Sequence, residues 1–72
     1  MDLYINIIKA QLDNIIQSNK HYVAAKGDKG KKQSALVLAT NICKLEKIIE
    51  ESLKEIEKAG VDVDRVRMRL DL

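Results

Sequence analysis

Between Ala35 and Ala59 the chain reads ALVLATNICKLEKIIEESLKEIEKA, and Ala35, Leu38, Ile42, Leu45, Ile49, Ser52, Ile56 and Ala59 recur at alternating spacings of three and four. That rhythm marks the seam of an amphipathic helix that pairs with another helix. A matching rhythm precedes it in Ile5, Ile8, Leu12, Ile15, Asn19 and Tyr22, widened to one side by Ile16 and Val23. Asp2 is placed to cap this first helix, where its charge suits the positive end of the dipole. At about 24 residues the helix would be roughly 36 Å long. Asn19 falls on the seam, either as a polar residue near a fraying end or as a buried amide that sets register. Asn14 falls on the side facing water.

The one clear break is Lys26-Gly27-Asp28-Lys29-Gly30-Lys31-Lys32, with two glycines close together and an aspartate between them. Such a segment ends a helix and makes a turn. The pattern therefore predicts helices over about 2–26 and 33–59, joined by a basic glycine loop at 27–32. Two helices of similar length joined this closely must lie antiparallel, so residues 1–60 form a helical hairpin. Gly60 stands where a helix C-terminus calls for glycine, and Lys58 sits in the last turn, where a cation suits the dipole. Beyond it, residues 61–72 form an arginine-containing tail. Val66, Met68, Leu70 and Leu72 alternate with Arg67, Arg69 and Asp71 as in a strand, while Val63, Val66 and Leu70 fit a helical face with Asp62 as its cap. The expectation is a short helical turn followed by an extended tail.

The second helix is apolar on more than its seam. Leu36, Val37 and Cys43 lie behind it, so its first half is apolar nearly all round, which one partner helix cannot cover. A chain of 72 residues is also short for a lone domain, since it buries only roughly 60% of its unfolded surface. The single cysteine excludes an internal disulfide framework and suits a reducing compartment. Self-association is the remaining remedy, and the expected fold class is an all-α hairpin that assembles into a larger helical bundle. The absence of Phe, Trp and Pro and the 33% charged content agree with a helical bundle or coiled coil. Met1-Asp2 followed by a helical pattern does not resemble a signal peptide, and the longest apolar run, Ala35 to Ala39, is far too short for a bilayer. The expected location is the cytoplasm, or a virion or host cytoplasm if the chain comes from a phage.

Candidate chemistry is sparse. His21 is the only histidine and Cys43 the only thiol, and they belong to different helices. No nucleophile–base spacing can be drawn between them. His21 reads as a surface histidine and Cys43 as a small apolar filler. Glu46, Glu50, Glu51 and Glu55 are interleaved with lysines on a solvated face and lack the Glu-x-x-His partner of a carboxylate metal site. Gly27 and Gly30 do not have the spacing of a phosphate-binding fingerprint. The chain is read as non-enzymatic, with no cofactor, no metal and no small-molecule substrate.

Charge placement says more than composition. The net charge of +2 is mild, but Lys20, Lys26, Lys29, Lys31 and Lys32 stand against a single Asp28, which concentrates +4 at one pole of the hairpin. Lysines on such a tip can contact phosphates in a sequence-blind, salt-sensitive way. The lack of aromatics there argues for a duplex backbone rather than a stacked single strand. The plain alternative is a solubilising loop. In the tail, Arg65, Arg67 and Arg69 alternate with apolar residues. Either the tail folds back and the arginines pair with Asp62, Asp64 and Asp71, or it is a docking peptide for a partner's sheet edge or acidic surface.

The order of these parts resembles the C-terminal half of phage terminase small subunits. Gly60-Val61-Asp62 stands for the start of the Leu-Gly-Leu-Thr-Pro segment with which that family's last long helix often ends, and Arg67-Met68-Arg69-Leu70 matches the Arg-x-Arg-Leu that closely follows it. Val63 stands where the family has proline, the arginines lie one residue late, and the family's N-terminal segment has no counterpart. The similarity spans about 50 residues, only about ten of them distinctive. It implies a ring-forming, non-catalytic DNA-binding component of genome packaging. The helix–KGDKG–helix order is also faintly similar to small bacterial histone-like proteins, which are more basic throughout. The leading expectation is thus an oligomeric protein that contacts double-stranded DNA through Lys20, Lys26, Lys29, Lys31 and Lys32. The alternative is a protein–protein module, an adaptor, inhibitor or structural part of a larger assembly, working through Leu36, Val37, Cys43, Arg65, Arg67, Arg69 and Leu70.

Overall fold

The computed structural model describes residues 1–71 and is all-helical, with α1 at Asp2–Ala24, α2 at Gly27–Lys58 and α3 at Val63–Leu70. Leu72, part of the alternating tail pattern, lies outside the described residues. α1 and α2 pack together as the expected hairpin, and α3 touches only α2. The Cα envelope measures 49 × 30 × 13 Å. Its 13 Å thickness is one helix layer, whereas domains ordinarily bury their apolar faces between two layers. Val63 is the only buried hydrophobic residue among those described.

The seam between α1 and α2 keeps the expected rhythm but in a different phase. On α1 the covered positions are Tyr4, Ile8, Gln11, Ile15, Ser18 and Tyr22; on α2 they include Lys31, Ser34, Ala35, Leu38, Asn41, Leu45, Ile48, Ser52, Leu53 and Ile56. Ile8, Ile15, Tyr22, Ala35, Leu38, Leu45, Ser52 and Ile56 are shared with the sequence reading. Ile5, Leu12 and Asn19 yield to Tyr4, Gln11 and Ser18, and Ile42 and Ile49 yield to Asn41 and Ile48. Asn19 is therefore exposed and sets no register.

That role falls to a closed hydrogen-bond circuit around Asn41. Gln11 Nε2 donates to the Asn41 carbonyl at 2.7 Å, and Asn14 Nδ2 donates to Gln11 Oε1 at 3.1 Å. Asn41 Nδ2 donates to Ser18 Oγ, and Ser18 Oγ donates to the Asn14 carbonyl at 2.7 Å. Gln11 and Ser18 are buried, and no buried side-chain polar atom among the described residues lacks a partner. Desolvating an amide without a partner costs several kcal/mol, roughly 2–7 by transfer scales, so this phase is tenable because the circuit closes. Asn14, read as simply facing water, is exposed yet orients Gln11.

The connection is tighter than the glycines suggest. α2 starts at Gly27 rather than at Gln33 or Ser34, so only Ala25 and Lys26 separate the helices. Gly27 has φ +76°, a left-handed value that glycine adopts without strain, and this turns the chain into α2. Gly30 lies inside the helix, where a Cβ would come within 3.9 Å of that of Ala25. Lys31 bridges the corner, its Nζ donating to the carbonyls of Tyr22 at 2.8 Å and Val23 at 3.3 Å at the open end of α1. The two helices consequently differ in length, 23 residues against 32. At the amino end of α1 the N-cap is Met1, without a side-chain cap, and Asp2 lies in the first turn.

At the far end, α2 closes as expected. The Ala59 amide donates to Ile56, the Gly60 amide donates to Glu57, and Gly60 takes φ +95°. The tail is a two-turn helix, longer than the expected short helical turn and without the extended stretch expected after it. Asp62 caps it by accepting from the Arg65 amide at 3.1 Å, and Val63 is buried where α3 meets α2.

Two outcomes follow for stability. Gln11→Ala removes a donor that ties α1 to α2 and opens the circuit; it should cost about 1–2 kcal/mol in urea unfolding followed by helical circular dichroism. A change below about 0.3 kcal/mol would show that the circuit does not hold the seam. Asp62→Ala should cost α3 about 1 kcal/mol of helix stability. The Val63–Leu70 amides should then lose hydrogen-exchange protection while those of α1 keep theirs.

Candidate functional site

The closed end of the hairpin gathers the lysines singled out from the sequence, but they are not equivalent. Lys20, Lys26, Lys29 and Lys32 are exposed. Lys31 is half-buried, bound to two carbonyls, and its ammonium lies 4.8 Å from the centre of the Tyr22 ring. A cation so placed stabilises the corner through a charge-assisted hydrogen bond and a cation–π contact. The phosphate-contacting candidates are thereby four, ranged about the amino end of α2, where free N–H groups and the helix dipole also favour anions. At the opposite end of α2, Lys58 pairs with Glu55 at 2.9 Å, and that hydrogen bond and charge hold its ammonium pKa above the ordinary 10.5.

The apolar candidates do not form one patch. Leu36 and Cys43, seven residues apart, share the back of α2, along which Leu36, Ala39, Thr40, Cys43, Lys44 and Lys47 line a shallow depression. Cys43 is exposed there and does not act as packed filler. Val37 lies on another side, in a groove of about 520 Å³ with Asn14, Gln17, Ser18, His21, Gln33 and Ser34. Leu36 and Val37 remain 68% and 55% exposed. The apolar girdle expected on the first half of α2 is therefore present, and α1 covers only one side of it.

The tail arginines also divide. Arg67 pairs with Glu50 of α2 at 2.8 Å and with Asp64 at 3.5 Å, helping hold α3 in place. Exposed pairs of this kind contribute at most about 1 kcal/mol. Arg65 and Arg69 line a small depression with Val61, Asp62 and Val66, and Leu70 is exposed. The fold-back reading of the tail thus holds for Val63 and Arg67, while Val66 and Leu70 stay outside.

What sequence reasoning missed is the polar circuit and the face it displaces. Ile5, Leu12, Ile16, Ile42 and Ile49, assigned to or beside the seam, are all exposed. The signal was available in the width of the apolar stripe, which on both helices exceeds what one neighbour covers. Among the described residues no cluster of three or more His, Cys, Asp or Glu side chains could hold a metal, and no helix is long and apolar enough to cross a membrane. Comparison with protein-family models, curated proteins and solved structures finds no match to this chain.

The division among the lysines can be measured. Lys31→Ala should lower stability by about 1–2 kcal/mol, whereas Lys32→Ala should stay within about 0.5 kcal/mol in the same urea titration. Equal effects would mean that Lys31 does not brace the corner.

Proposed function

We propose that this chain is a non-enzymatic helical protein that works as an oligomer and contacts the backbone of double-stranded DNA through the closed end of its hairpin. The observation that supports it is the set of four exposed lysines, Lys20, Lys26, Lys29 and Lys32, around the amino end of α2. Lysines there meet phosphates as mobile point charges, and the helix end adds its own preference for anions. The resemblance to terminase small subunits is in keeping with this reading and would make the role one of genome packaging.

A second reading is favoured by the uncovered girdle of Leu36, Cys43 and Val37 and by Arg65, Arg69 and Leu70 on α3. In it, the chain is an adaptor, inhibitor or structural part of a larger protein assembly, and the lysines serve solubility.

Fluorescence anisotropy of a labelled duplex across a salt series separates the two. Four phosphate contacts per protomer should give log affinity against log salt a slope of about −3.6. Changing Lys20, Lys26, Lys29 and Lys32 together to glutamine should abolish binding, while Lys31→Gln should leave the slope unchanged. No binding at low salt would end the DNA reading and leave the protein–protein one.

A further inference from the structure

The apolar residues displaced from the seam fall into line. On α1 they are Ile5, Leu12, Ile16 and Val23, and on α2 they are Ile42 and Ile49, in line with the half-buried Ala35. All but Ala35 are exposed, Ile16 by 50% and Ile42 by 40%. Each row lies roughly 90° around its helix from the seam, in the same rotational sense. Because the helices run antiparallel, equal rotations carry both rows to one side of the layer, opposite the groove lined by His21 and Val37. The result is a single apolar face along the hairpin. The hydrogen bond from Gln11 to Asn41 places Leu12 and Ile42 at one level near its middle.

Area and charge identify what covers this face. The chain exposes 5969 Å². A folded monomer of its 8.2 kDa mass exposes about 4,500 Å², so the excess is about 1,500 Å². Covering half of that excess on each of two protomers buries about 1,500 Å², within the ~1,200–2,000 Å² of a stable interface. The closed end carries +4 from its five lysines and Asp28, while Glu46, Glu50, Glu51, Glu55 and Glu57 outweigh Lys44, Lys47, Lys54 and Lys58 by one charge toward the other end. Stacking two hairpins in parallel would bring the two basic ends together. Stacking them antiparallel sets each against the other's acidic half.

We propose that this face binds a second copy of the chain, the two hairpins antiparallel, making a two-fold four-helix bundle centred on Leu12 and Ile42. The inference rests on the oligomeric reading above and specifies its face and orientation. In such a bundle α1 lies over α1 and α2 over α2. The two lysine ends point away from each other, each free to meet a separate stretch of backbone.

Sedimentation equilibrium and spin-label distances test it on the full chain. Wild-type protein should be dimeric at micromolar concentration. Ile42→Glu and Leu12→Glu should each weaken the dimer by roughly a hundredfold or more, because each places a carboxylate in a desolvated centre. Leu36→Glu, on the back of α2, should leave the dimer intact. Since residues 12 and 42 do not make the hairpin seam, helical circular dichroism should show each variant still folded. In a Cys43→Ser background, labels on Lys29→Cys should lie about 40 Å apart across the dimer. A separation under about 25 Å would overturn the antiparallel orientation. A dimer that survives Ile42→Glu but not Leu36→Glu would overturn the face while leaving self-association standing. A wild-type monomer at all concentrations, with or without binding to lipid vesicles, would overturn both.

Discussion

The arrangement depends on the hydrogen-bond circuit through Asn41. Two apolar-striped helices left to hydrophobic burial alone would turn Ile5, Leu12 and Ile42 toward each other. Instead Gln11, Ser18 and Asn41 occupy the seam, each donor meeting an acceptor on the facing helix or its own. Hydrogen bonds have direction and length where aliphatic contacts have neither, so the circuit fixes rotation and register together. The rotation is roughly 50° on each helix relative to the apolar alternative, and it presents the branched aliphatics to the outside. An interior that is partly polar and a flank that is apolar are two consequences of one choice.

This explains what could be read from the sequence and what could not. The hairpin, its antiparallel sense, the Gly60 terminus and the Asp62 cap follow from local rules that act within a turn or two. The three–four rhythm was visible too, but its phase was not. On α1 two adjacent seven-residue series compete, one through Tyr4, Gln11 and Ser18, the other through Ile5, Leu12 and Asn19, and periodicity alone ranks the more apolar one first. The deciding interactions join residues 23 and 30 apart, beyond the reach of pattern reasoning. The corner was misread for the same reason. Gly27 and Gly30 look like breakers, since a helical glycine costs about 1 kcal/mol, but the reach of Lys31 back to the Tyr22 and Val23 carbonyls holds the shorter connection.

The same distinction separates charges that hold the fold from charges free for a partner. Lys31 and Arg67 looked like members of the two cationic rows. Lys31 lies over an aromatic ring and against two carbonyls, and Arg67 reaches Glu50 on the neighbouring helix. What identifies them is placement at a junction between elements, which a list of charges does not reveal. Lys20, Lys26, Lys29 and Lys32 are exposed, and in the proposed DNA reading their flexible, hydrated ammonium groups would meet phosphates as point charges.

A single helical layer sets the terms for folding as well as for binding. Ordering each residue costs about 1–2 kcal/mol of backbone entropy, which is offset chiefly by buried surface, yet among the described residues Val63 is the only buried hydrophobic side chain. The circuit at Asn41 supplies specificity more than net stability, because its hydrogen bonds replace ones that water would make. In the proposed dimer the missing burial comes from the face the circuit exposes, so the polar seam selects the surface on which assembly then stabilises the fold. Stability would accordingly rise with protein concentration, and a change that rotates either helix would weaken the seam and the assembly together. In the proposed dimer, self-association would add to the stability of the hairpin through helix rotation, because the angle that closes the polar circuit is also the angle that aligns the two apolar rows.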